Sequence, residues 1–154
     1  MIIMAVDYGD ARTGLAVCDE GEILAYGAGL IDRPGFKKVA AEVARRAEEL
    51  GAELIVVGDP VNMDGKPGPR SAKCRDFAAE VERVSGVPAV MCDERLTSVS
   101  AHEILAENGL RPGRHRSRVD EMAARLILED YLALRKAEKK KNDGENNDSD
   151  PEIP

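Results

Sequence analysis

The sequence predicts an α/β fold: a mixed five-stranded sheet with helices on both faces. Three observations predict it. Apolar runs of strand length recur along the chain. The first three follow one another through short glycine-bearing turns, as antiparallel strands do. After Pro34 the apolar runs alternate with segments of helical period, which implies parallel strands joined by right-handed crossovers.

The first strand is Ile2–Val6, an apolar run that ends at Asp7. Gly9 and Gly14 permit a tight reversal. Leu15–Cys18 is apolar again and forms the second strand. The third strand falls within Glu22–Asp32, paired with the second across a short turn at Asp19–Gly21. From Pro34 to Leu50 the apolar residues Val39, Ala40, Val43, Ala44, Ala47 and Leu50 take helical spacing, with Pro34 suited to the first turn and Gly51 to the C-terminal cap. Leu54–Gly58 is a continuous apolar run, as in a buried parallel strand.

Asp59–Pro69 is a Gly/Pro-rich loop. A second helix carries Cys74, Phe77, Ala78, Val81 and Val84 and ends at Gly86. Ala89–Cys92 is the last strand, stopping at Asp93–Glu94. Thr97 or Ser98 caps a third helix that reaches Asn108. Leu110–Ser117 reads as a basic loop, and Arg118 to about Lys136 as a final helix. Residues 1–137 form one domain, and the charged, Asn/Asp-rich segment 138–154 reads as a disordered tail.

Composition narrows the function. The chain has 154 residues, enough for one domain with a substantial core. Aromatic residues make up 3% and Trp is absent, which argues against base stacking on an aromatic platform. The net charge of -7 means that any nucleic-acid footprint must be local. Cys18, Cys74 and Cys92 lack C-x-x-C spacing and read as buried thiols in a reducing compartment. His102 and His115 are too isolated for a zinc site. No apolar run reaches the length of a membrane span, so the expectation is a cytoplasmic protein with no membrane partner.

Four acids stand out. Asp7 ends the first strand, Asp93 and Glu94 end the last, and Asp120 lies in the first turn of the final helix. The C-terminal ends of parallel strands open onto the crevice where ligands bind. Carboxylates that converge there stay ionised together only if cations share the charge. Oxygen ligands without His or Cys point to Mg²⁺ or Mn²⁺, and two ions about 4 Å apart would activate water on a phosphodiester. Strand parity admits either Asp93 or Glu94 as the ligand. Two acid-free basic segments flank this cleft: one holds Lys66, Arg70, Lys73 and Arg75, the other Arg111, Arg114, Arg116 and Arg118. A basic rim around an acidic centre fits a polyanion gripped at its edges.

The stretches DYGDARTGLAV at Asp7–Val17, VGDPVNMDG at Val57–Gly65, DERLTS at Asp93–Ser98 and VDEMAARLILEDYL at Val119–Leu132 resemble the YqgF/RuvX family of Holliday junction resolvases and pre-16S rRNA nucleases. The resemblance covers about residues 2–135. It implies an RNase H-like fold and a metal-dependent nuclease acting on precursor rRNA or branched DNA. It also implies a catalytic set at Asp7, the Asp93–Glu94 pair and Asp120. Arg12 and Arg95 match motif positions and are expected to contact phosphate. A resolvase would need a homodimer to cut two strands symmetrically. Asp59 departs from the pattern: an apolar residue is expected there, and a carboxylate adds negative charge near the cleft. Two other functions fit parts of the sequence. One is a non-catalytic RNA or assembly-binding module. The other is an actin-like ATP-binding protein, which would need a second domain.

Overall fold

The computed structural model describes residues 1–60, 66, 68–93 and 112–148, and within the last segment the side chains of 122–142. The strands are β1 (Ile3–Tyr8), β2 (Thr13–Cys18), β3 (Ala25–Ile31), β4 (Leu54–Asp59) and β5 (Ala89–Asp93). They form one sheet in the order β3-β2-β1-β4-β5. β1 is antiparallel to β2 and β2 to β3, while β1, β4 and β5 run parallel. The helices are α1 (Phe36–Leu50), α2 (Pro69–Ser85) and α3 (Pro112–Asp148). The expected helix at 97–108 lies outside the described residues.

Alternation along β1 divides the core into two layers. Met4 and Val6 join Leu15, Ile55 and Val57 beneath α1 and α2, packing on Val39, Val43, Phe77 and Val81. Ile3 and Ala5 join Ala16, Val56 and Cys92 on the opposite face, packing on Ala124, Ile127 and Leu128 of α3. Both faces of β1 and β4 are therefore covered, which is why their sequences are apolar without alternation.

α1 and α2 end as expected. Gly51 and Gly86 take left-handed backbone conformations (φ 70° and 73°) and donate backbone hydrogen bonds to the last helical carbonyls. The β2–β3 connection is longer than the expected Asp19–Gly21 turn. Asp19 Oδ1 accepts hydrogen bonds from the amides of both Ile23 and Leu24 at 2.8 Å, so the reversal spans Asp19–Leu24.

The C-terminal part corrects the expected start of the final helix. Residues 112–117, expected in the basic loop, belong to α3. Pro112 opens that helix, where its missing N–H costs nothing, and the arginines that follow are good helix formers. The helix then continues through Asp148, into the segment expected to be disordered. Ala137, Glu138 and Lys139–Lys141 have high helix propensity, and no proline interrupts them.

Candidate active site at the C-terminal strand edge

Asp7 is the fifth residue of β1, half-buried, on the same face of the sheet as Ala5 and thus facing the α3 layer. Its cross-strand neighbour on β2 is Gly14. On the other side, β1 pairs with β4 at Val6↔Val57, and the next step of that register is Gly58. Gly58 in turn pairs with Cys92 of β5. Both strand neighbours of Asp7 thus lack side chains, which leaves room beside the carboxylate on this face.

The turn after Asp7 is tight. The Gly9 amide donates to the Arg12 carbonyl at 3.0 Å, and a Cβ on Gly9 would lie 2.4 Å from that oxygen. Only glycine fits there.

The adjacent row of side chains belongs to the other face. Tyr8 stacks on Phe77 of α2, with ring centroids 3.9 Å apart and planes 8° from parallel. Burial pushes the Tyr8 phenol above its ordinary pKa. Asp59 and Asp93 pair across β4 and β5 and share the parity of Val57 and Met91, on the α1/α2 side. Asp93 is exposed. Asp59 is buried, and its charge is compensated locally. Ser71 Oγ donates to Asp59 Oδ1 at 2.5 Å, and Arg75 Nη2 to Oδ2 at 3.0 Å. The expectation that Asp59 adds negative charge to the cleft is therefore corrected. It faces away from Asp7 and is neutralised by α2.

Glu94, Arg95 and Arg111 lie outside the described residues. Asp120, Arg114, Arg116 and Arg118 lie in α3, described as backbone only. Beyond Asp120, α3 packs across the sheet through Ala124, Ile127 and Leu128. At the far end of the sheet, Arg135 Nε donates to Glu22 Oε1 at 2.6 Å, beside the β2–β3 turn. Between Asp120 and Arg135 the helix rises about 22 Å, whereas a six-residue strand such as β1 spans about 20 Å. Asp120 therefore lies on the part of α3 that is farther along the helix from the β2–β3 turn. Among the described residues no three His, Cys, Asp or Glu side chains are grouped closely enough to hold a metal ion.

The basic residues that are described make surface contacts. Arg12 Nε lies 3.5 Å from Asp32 Oδ1, and Arg70 Nη1 lies 3.2 Å from Asp10 Oδ2. Lys66 is exposed. The Asp10 and Asp32 partners were not singled out in the sequence; opposite charges far apart in the chain carry no local signal of pairing.

The family model described as "RuvX: Holliday junction resolvase" matches residues 1–134. This chain belongs to the RuvX family. A Chloroflexus aurantiacus protein named "Putative pre-16S rRNA nuclease" is 35% identical over 136 residues, covering 88% of this chain and 89% of the relative. A Syntrophus aciditrophicus protein of the same name is 36% identical over 132 residues, covering 86% and 88%. Among solved structures, the chain resembles Thermus thermophilus RuvC in complex with a Holliday junction substrate. The TM-score is 0.55 at 16% identity, over 87% of this chain and 96% of that one. It also resembles Fowlpox virus resolvase bound to Holliday junction DNA, with TM-score 0.54 at 13% identity, over 86% and 97%. At these identities the likeness establishes the RNase H-like fold. No described helix of this RuvX-family chain is long and apolar enough to cross a membrane.

Proposed function

We propose that this RuvX-family chain is a metal-dependent endonuclease in the cytoplasm that hydrolyses phosphodiester bonds in structured nucleic acid. The preferred substrate is the 5′ end of precursor 16S rRNA, with branched DNA as the second candidate. The observation that carries this reading is the placement of Asp7. It lies next to the end of the central strand, on the face packed by α3, the helix that also carries Asp120, in a chain matched to the family over residues 1–134. The names of the relatives favour RNA.

The donor set fits a hard cation. Asp7, Glu94 and Asp120 offer carboxylate oxygens alone, suited to Mg²⁺ or Mn²⁺. Asp93 shares the Asp59 side of the sheet and not the Asp7 side, so either it reaches around the strand end or Glu94 takes its place. Two such ions would supply charge neutralisation at the phosphodiester and an activated water. The protein's own part is to hold the carboxylates at one strand edge and to grip flanking phosphates. Candidates for that grip are Arg12, Lys66, Arg70, Arg95, Arg111, Arg114, Arg116 and Arg118. A homodimer belongs to the branched-DNA reading, since paired cuts require two sites.

The test is a cleavage panel of precursor 16S rRNA fragments, single-stranded RNA and four-way junction DNA, each with Mg²⁺, Mn²⁺ or EDTA. The expected result is metal-dependent cutting of the rRNA precursor ahead of the others. Absence of cleavage on every substrate, with binding intact, would overturn the nuclease reading in favour of a binding module.

A further inference from the structure

Two acid–arginine pairs join the strand edge to the first turns of α2, and they differ in kind. Asp59, 7% exposed, is held by Arg75 and by Ser71. Asp10 and Arg70 are 73% and 50% exposed and meet through one contact at 3.2 Å. A carboxylate buried and bonded twice does not exchange partners readily, because stripping it of them leaves a desolvated charge. An exposed single-contact pair contributes little and exchanges easily. The buried pair therefore pins α2 in place, while the exposed pair leaves the Arg70 guanidinium able to swing without moving its helix.

The exposed pair stands at the turn that follows Asp7. Asp10 lies three residues beyond Asp7, in the turn closed by the Gly9–Arg12 hydrogen bond. Arg70 reaches that turn from α2, across the strand edge. A backbone phosphate held at this turn would compete with Asp10 for Arg70. It can engage Arg70 through two oxygens and releases condensed counterions, whereas Asp10 makes a single contact.

We propose that Asp10 is an electrostatic gate on Arg70. Without nucleic acid its carboxylate occupies the guanidinium. A backbone phosphate displaces it, and Arg70 becomes a phosphate contact. The carboxylate left behind opposes loosely seated phosphates, so the gate lowers affinity for chains that do not engage Arg70. This inference rests on the nucleic-acid reading above and adds the residue that regulates it.

The test is a double-mutant cycle of Asp10→Asn and Arg70→Gln. Binding is read by fluorescence anisotropy on a structured RNA duplex and on four-way junction DNA, in EDTA so that nothing is cut. Asp10→Asn is expected to tighten binding about threefold and to steepen the salt dependence by up to about 0.9 in log–log slope between about 50 and 200 mM salt. Arg70→Gln should weaken binding, and in its background Asp10→Asn should lose most of its effect. Equal tightening by Asp10→Asn with and without Arg70 would overturn the gate, leaving only general repulsion. Wild-type cleavage in Mg²⁺, measured alongside, keeps the two claims separate. A cleaving enzyme with an uncoupled cycle sinks the gate alone. A wild type that neither binds nor cuts sinks both.

Discussion

At Gly9 a methyl group would collide with the Arg12 carbonyl at 2.4 Å, on backbone that cannot swing aside. Gly9→Ala is expected to cost about 1–3 kcal/mol in urea unfolding and to displace the turn that carries Asp10 and Arg12. Asp59 shows how burial decides the sign of a truncation. Arg75 is 55% exposed and Asp59 only 7%. Replacing Asp59 by Leu returns an arginine to water but leaves the buried Ser71 hydroxyl without its acceptor, and costs about 1–2 kcal/mol. Replacing Arg75 by Leu strands a buried carboxylate on Ser71 alone and costs about 2–4 kcal/mol. Equal losses in the two variants, measured by urea titration, would contradict this account of the pair. Asp59 was legible as an oddity in its motif. Its partners were not, because Ser71 and Arg75 are twelve and sixteen residues away, in a helix whose rotation only the tertiary structure sets.

At the level of elements, α3 determines whether a site can form. It crosses one whole face of the sheet and is fixed there by Ala124, Ile127, Leu128 and Leu132. Ile127→Ala should remove about 2–5 kcal/mol of stability, read as a lower Tm. The far end of α3 is tied by charge. Glu22 accepts from Arg135, lies 3.5 Å from Lys139 and 3.4 Å from the N-terminal amine, and is only 14% exposed. The Arg135 hydrogen bonds, with the neighbouring positive charges, hold its carboxyl down at about 2. A depressed carboxyl pKa stabilises the fold above the unfolded-state value, and that stability is lost as pH falls through the folded value. Stability should therefore decline between about pH 4.5 and 2, and Glu22→Gln should flatten that part of the profile. An unchanged profile in Glu22→Gln would remove this clamp from the account. The helix itself was legible from Val119 to Leu134 by its period. Its early start was hidden by Pro112–Gly113, which reads as a turn, and its late end by a charged composition that reads equally as a tail.

For the molecule as a whole, the order of strands and helices followed from apolar runs and their period. What the sequence left open was which side each polar residue faces. Asp59 and Asp93 end their strands and Asp7 lies one residue short of the end of its own, and one step of register separates Asp7 from the other two. That step gives Asp7 to the α3 face and the pair Asp59–Asp93 to the α2 face. The chain's strand-edge acids are thus divided between the two faces, and the buried one, Asp59, is held by Ser71 and Arg75. The central claim is that Asp7 and Asp120, far apart in sequence, serve one metal-dependent site. The most direct test is single-turnover cleavage of precursor 16S rRNA in Mg²⁺ by Asp7→Asn and Asp120→Asn, with Tm measured on the same samples. The account predicts that each variant folds with nearly wild-type Tm and loses at least about 100-fold in rate, and that the double variant is no slower than either single one. Either variant retaining wild-type cleavage while folded would contradict it.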